Sequence, residues 1–245
     1  MPLDPSRIRA VAFDYGNTLI PFREEDLTAY GEMLLAAIEG HFGKADRDRF
    51  FEHRVRTRYR PFEGDPPHYR ENDLSAITVE LVEELYGVTP DKATLDDLLR
   101  ARYEAFLAVV RPVDGVSALL EQLGQRYRLG FLSNYPDGPA IRESIHRLAI
   151  DRHFQSIVVS GDMGYCKPHP IVFAKLLEGL DRKAHEVVYV GDNWLADVQG
   201  AKRVGMQAVH MRRWATPETF EPQPGDHAPD ATIEDLCELE ALLLA

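Results

Sequence analysis

After Arg111 the chain alternates, without interruption, between short apolar runs and amphipathic helical segments, and this pattern limits the possible folds more than any other feature. "YRLGFLSN", "SIVVSGD", "EVVYVGD" and "MQAVHM" are brief and rich in Val, Ile and aromatics, the pattern of strands buried on both faces. "GVSALLEQLGQ" precedes them, and "GPAIRESIHRLAI", "HPIVFAKLLEGL" and "WLADVQGAKRVG" separate them with helical spacing. A further run of the same kind, "IRAVAFD", opens the chain at residues 8–14, and "IEDLCELEALLL" is expected to close it as a helix. Strands alternating with helices predict an α/β fold: a doubly wound, Rossmann-like parallel sheet covered on both faces.

Between the first strand and this alternation the signal is helical throughout. "EEDLTAYGEMLLAAIEGHFG" stops at Gly43, "ADRDRFFEHRVRTRYR" follows, and two more helices start at N-cap candidates Asn72 or Asp73 and Asp91. "RPFEGDPPHYR" (60–70) is expected to be a loop. The predicted organisation is a core of residues 1–21 and 110–245, interrupted by an α-helical cap of residues 22–109. A chain of 245 residues is long enough for both. The Pro-rich stretch 212–230 is read as a connection before the last helix.

The net charge of −12 argues against a nucleic acid or an anionic membrane, which would need a basic face, but not against a small phosphorylated molecule in a locally cationic site. With 9% aromatics, base stacking gains no support. No apolar run reaches transmembrane length, and "MPLDPSRIRAVAF" lacks a secretory apolar core, so a cytoplasmic monomer or homodimer is expected. Cys166 and Cys237 are far apart and form no metal or redox pair.

In a parallel α/β sheet, ligands bind beyond the carboxyl ends of the strands. Here those ends are Asp14, Ser133-Asn134 and Asp192, with Lys167 placed before a helix that begins near His169 or Pro170. Carboxylates without a His or Cys cluster suit a hard cation such as Mg²⁺. Lys167 and Ser133 suit a phosphate. A carboxylate between a cation and a lysine stays ionised and can attack phosphorus, giving an aspartyl-phosphate. Thr18 can hydrogen-bond a phosphate oxygen or the nucleophile.

Four motifs, "FDYGNTL", "LSN", "KPHP" and "VGDNWLADVQGAKRVGM", together resemble the haloacid dehalogenase superfamily, in the branch with a helical cap after the first strand. The resemblance implies roles position by position. Asp14 is the nucleophile and a Mg²⁺ ligand, the Gly16 carbonyl a second ligand, and Thr18 supports the nucleophile loop. Ser133 and Asn134 bind phosphate, and Lys167 steadies nucleophile and phosphate. Asp192 and Asp197 are acids of the metal site, and Asn193 can bond a metal-bound water. The implied activity is Mg²⁺-dependent hydrolysis of a small phosphorylated metabolite.

One departure stands out. Phosphatases of the superfamily usually carry a second Asp two residues after the nucleophile as general acid–base, a contribution of about 10²–10⁴-fold. Here Gly16 holds that position. A phosphatase with a good leaving group, or with a substitute acid among Asp137, His68, Glu63 and His53, is the leading reading. The alternatives are a catalytically weakened binding or regulatory protein and, less favoured, a 2-haloacid dehalogenase, for which Asp192 and Asp197 would be superfluous. Phosphonate chemistry would need a cap lysine, and only Lys44 and Lys92 lie in the insert. Arg54, Arg56, Arg58 and Arg60 read first as a solvated face, with the option that one reaches a distal anion of the substrate. Tyr15 either packs or touches substrate, and Trp194 is expected to pack between helix and core.

Overall fold

A computed structural model describes residues 3–64, 66–214 and 222–244. Residues 215–221 of the Pro-rich connection and Asp65 of the predicted loop therefore lie outside the described residues.

Strands β1 (Ala10–Phe13), β2 (Arg128–Ser133), β3 (Ser156–Val159), β4 (Val187–Gly191), β5 (Gln207–Met211) and β6 (Ala231–Ile233) form one sheet in the order β3-β2-β1-β4-β5-β6. Every pairing is parallel. The chain winds outward from β1 to β3, then crosses to the other side of β1 to build β4, β5 and β6. The order reverses between β1 and β4, and a crevice for ligands opens at such a switch point.

The two-residue period of the strands divides the core into two layers. Val11, Phe13, Leu129, Phe131, Val188 and Val190 point to one face and pack with Leu119, Leu120 and Leu123 of α5 (Val116–Gly124) and Ile141 and Ile145 of α6 (Gly138–Arg147). Ala10, Ala12, Leu132, Val187 and Tyr189 point to the other, against α8 (Pro170–Leu180), which follows the single turn α7 (Ser160–Met163), and α9 (Gly200–Arg203). Gly130 of β2, where a Cβ would lie 2.8 Å from Leu176 Cδ1, lets α8 sit close on the second face.

Helices α1 (Glu24–Phe42), α2 (Arg47–Tyr59), α3 (Leu74–Tyr86) and α4 (Lys92–Val109) lie between β1 and β2 in the chain. Their apolar stripes meet in a separate cluster of Leu34, Leu35, Ile38, Phe50, Leu81, Val82 and Leu98. α1 ends at Gly43, where φ is +86°, a conformation that favours glycine. Asp73 and Asp91 cap α3 and α4 by accepting from Ala76 N and Thr94 N. Phe106 and Leu107 at the end of α4 join the main core instead.

Three features differ from expectation. Ile233, expected to open the last helix, instead ends β6 on the sheet edge, and α10 spans only Glu238–Leu243. The "WLADVQ" segment is a π-helical turn over Trp194–Gln199, with Val198 N donating to Asn193 O at 3.2 Å. The stretch after "EGDPP" is not a free loop. Arg70 forms an antiparallel bridge with Tyr165, Cys166 N donates to Tyr69 O, and Glu71 N donates to Gly164 O, strapping the insert to the segment before Lys167.

Candidate active site

The site is assembled where β1 and β4 end. Asp14 directly follows β1 and its amide donates to Val190 O of β4 at 2.9 Å. The chain then turns tightly: the Tyr15 carbonyl accepts from the amides of Thr18, Leu19 and Ile20, and Asn17 takes a φ of +57°, which Asn tolerates. Asn17 Oδ1 accepts from Phe22 N at 2.8 Å and fixes the exit of the turn.

Lys167 reaches the same point from the loop before α8. Its Nζ lies 2.5 Å from Asp14 Oδ1, 2.7 Å from Asp197 Oδ1, 3.1 Å from Leu132 O and 3.0 Å from Tyr189 Oη, with the side chain 2% exposed. The Asn134 carboxamide holds the Lys167 main chain at both ends, donating to Lys167 O at 3.0 Å and accepting from Lys167 N at 2.7 Å. Asn134, expected among the phosphate binders, thus has its side chain committed to positioning the lysine loop. Ser133 is buried at the end of β2.

Asp197 sits on the π-helical turn, and its Oδ2 accepts from Asn193 N at 2.9 Å. Asn193 in turn caps that turn through Ala196 N at 2.8 Å, so its carboxamide oxygen is engaged. A side chain at Gly191 would collide with the Asp197 carboxylate, so the bare end of β4 is what admits this acid to the site. His210 of β5 donates from Nε2 to the Asp192 carbonyl at 2.9 Å. Burial holds the His210 imidazole below its usual pKa and so favours the neutral ring.

Asp14, Asp192 and Asp197 each offer an oxygen within 4.8 Å of the others, and all three are buried. Burial pushes the Asp14 carboxyl up to about 6, against the opposing pull of Lys167 and with a further push from Asp197. Burial and then the charges of Asp14 and Asp197 raise Asp192 well above the carboxylate range. Lys167, despite its burial, is held well above its usual value by Asp14 and Asp197. Three carboxylates face one ammonium, an excess of negative charge that a divalent cation with oxygen ligands would neutralise. The donor set fits Mg²⁺ on that ground. Thr18 Oγ1, in the turn that follows Asp14, is buried with no partner.

Gly16 has a physical neighbour that accounts for its size. A Cβ there would lie 3.0 Å from Phe22 Cδ2, and the Phe22 ring stacks on Phe106 at 5.8 Å. Aromatic packing borders the place where a second acid would project. Of the candidate substitutes, Asp137 caps α6 through Ala140 N, Glu63 and His68 are exposed, and His53 lies buried in the insert with Nδ1 2.8 Å from Glu84. None of these four bonds to the acid cluster. His53, Glu80 and Glu84 also converge, but Arg56 and Arg60 already pair with the two glutamates. Tyr15 is core: its hydroxyl meets Ser144 at 2.8 Å and its ring lies 5.2 Å from Phe131. Trp194 is partly exposed and its indole donates to Asp226 at 2.8 Å. Tyr189, whose hydroxyl touches Lys167, is marked in the sequence only by a hydroxyl inside the otherwise apolar run "VVYVG".

Comparison with known proteins agrees with this architecture. The family model described as haloacid dehalogenase-like hydrolase matches residues 66–211. A curated relative from Methanopyrus kandleri, glyceraldehyde 3-phosphate phosphatase, is 30% identical over 93% of this chain and 93% of its own length. The chain belongs to the haloacid dehalogenase-like hydrolases. The family model covers Ser133, Lys167, Asp192 and Asp197, whereas Asp14, Gly16 and Thr18 precede its span. Among solved structures of the fold, a 2-haloacid dehalogenase from Pseudomonas syringae superposes with a TM-score of 0.72 at 23% identity, covering 97% of this chain and 98% of that one. A HAD-hydrolase from Bacillus subtilis bound to magnesium gives 0.69 at 22% identity, covering 98% and 100%. As a member of this family the chain is a hydrolase, and none of its described helices is long and apolar enough to cross a membrane.

Proposed function

We propose that the protein hydrolyses a small phosphomonoester in two steps, with Asp14 as nucleophile. The observation that carries this reading is Lys167 Nζ lying between Asp14 and Asp197, at 2.5 and 2.7 Å, at the switch point of the sheet. Asp14 attacks phosphorus, the ester oxygen leaves, and water then cleaves the aspartyl-phosphate. The lysine keeps Asp14 ionised and compensates charge on the transferring phosphoryl group. Asp14, Asp192, Asp197 and the Gly16 carbonyl are the groups that would hold Mg²⁺, which when bound supplies further charge neutralisation. Ser133 and Thr18 offer hydroxyls to the phosphoryl oxygens, and Asn134 keeps Lys167 in register. Residues 22–109 act as the cap that excludes water and selects the substrate.

Without an acid side chain at residue 16, the leaving group must depart with little help, which favours esters with good leaving groups. The three clustered acids favour phosphoryl transfer over halide displacement, which has no use for Asp192. The similarity to a glyceraldehyde 3-phosphate phosphatase supports a small phosphorylated metabolite.

Phosphate release from 4-nitrophenyl phosphate with Mg²⁺ tests the reading. Its leaving group needs no proton, so turnover is expected even with Gly16. Asp14→Asn is expected to lower kcat at least about a thousandfold with the fold intact by circular dichroism. Unchanged turnover in that variant, or none in the Mg²⁺-loaded parent, would refute it.

A further inference from the structure

Two arginines at the junction of insert and core have no counterpart in the mechanism. Arg102 of α4 is 7% exposed, and its Nε is buried without a partner. Arg54 of α2 lies with its guanidinium carbon 4.6 Å above the Tyr30 ring, and 5.7 and 5.8 Å from the rings of Phe50 and Phe51. Among the described residues neither arginine has an ion pair or a hydrogen bond. Their neighbours behave differently: Arg56 pairs with Glu84, and Arg60 with Glu80, from the same stretch of chain.

The surroundings of Arg54 are shaped for it. A side chain at Gly31 of α1 would collide with its Nη1 and with Phe51, so the guanidinium crosses α1 where there is no Cβ. The charged and polar groups that act on it most are Tyr30, Arg102, Tyr135 and Arg58, and burial is the main force lowering its pKa. Tyr135 interacts with Tyr30 and Arg102, and its ring lies tilted against Phe106 at 4.5 Å. Tyr135 stands two residues after Ser133, so the pair adjoins the loop that borders the acid cluster.

Burying a charge without a partner is costly, and two like charges near each other add repulsion. That no described acid of a chain of net charge −12 pairs with either arginine fits a site whose counter-ion arrives with the ligand. The planar guanidinium fork matches a carboxylate or a phosphate.

We propose that Arg54 and Arg102 form a subsite for a second oxyanion of the substrate, so that the preferred phosphomonoester carries a carboxylate or a further phosphate. This rests on the phosphatase reading above. Tyr30 and Tyr135 flank the subsite.

The test compares two matched pairs: 3-phosphoglycerate with glyceraldehyde 3-phosphate, and fructose 1,6-bisphosphate with fructose 6-phosphate. In the parent, kcat/KM for at least one doubly anionic member should exceed that of its partner. A carboxylate preference or a phosphate preference identifies which oxyanion is used. Arg54→Gln and Arg102→Gln should each reduce that ratio on the order of 10- to 100-fold, mainly through KM. Arg54→Lys should recover part of it. Without ligand, the Gln variants should melt no lower than the parent, because an uncompensated charge has been removed. Calorimetric titration of 3-phosphoglycerate and of fructose 1,6-bisphosphate into Asp14→Asn, with and without Arg54→Gln, reports binding independently of turnover. If no phosphate is hydrolysed yet either titration depends on Arg54, the phosphatase reading falls while the subsite stands. Equal selectivity in parent and variants, or unchanged affinity for both probes, would overturn the subsite. So would a lower melting temperature with unchanged selectivity, which would make the arginines packing groups.

Discussion

Lys167 is the residue on which the site turns, because its ammonium is the one described cation among the three buried acids. At this scale the motifs were largely legible: Asp14 and Asp192 directly follow β1 and β4, Lys167 stands in the loop before α8, and Asp197 lies on the turn after β4. What could not be read was which polar atom faces which. Asn134 looks like a ligand group in "LSN", but its carboxamide is taken by the Lys167 main chain. Gly16 reads as a missing acid, and the structure adds that Phe22 already borders the space. Gly16→Asp should therefore destabilise by about 1–3 kcal/mol through overcrowding. Combining it with Phe22→Ala should be less damaging than the sum of the two changes. Urea unfolding of the four proteins measures that coupling, and strict additivity would contradict the packing account.

At the scale of elements, the strands and long helices followed from hydrophobic period, and the exceptions have physical causes. A three-residue strand such as β6 is too short to display an alternation, and only its pairing with Val209–Met211 defines it. The π-helical turn carrying Asp197 gives no periodic signal over six residues, although such turns recur at functional sites. The strap at Tyr69–Glu71 depends on partners far along the chain. One member of it titrates. Burial raises the Glu71 carboxyl above its usual value, although Ser160 and Asn72 donate to it. A raised acid contributes most to stability when protonated, below its unfolded pKa, and that contribution fades as pH rises through the folded value. Glu71→Gln should accordingly gain stability relative to the parent as pH rises from about 4.5 to 7. Melting temperatures across that range check it, and a gain that shrinks with pH would show the sign to be wrong.

For the whole molecule, the sheet order places β1 and β4 side by side although Asp14 and Asp192 are remote in sequence, and the crossover converts that remoteness into a cluster. The clustered acids repel one another until a cation is present, so Mg²⁺ should stabilise the folded chain, by about 2.7 kcal/mol at a hundredfold excess over Kd. Asp192→Asn should raise the melting temperature in EDTA and largely abolish the increase on adding Mg²⁺. An undiminished Mg²⁺ shift in that variant would assign the cation to other residues.

The strap has a kinetic consequence. Tyr69–Glu71 bind the backbone at Gly164 and Cys166, and Cys166 is the residue immediately before Lys167. Swinging the helical insert away would peel that short ribbon from the segment bearing the ammonium. Admission of solvent and loosening of the charge beside Asp14 would then be two faces of one mechanical event, and the nucleophile would be fully armed only while the compartment above it is shut.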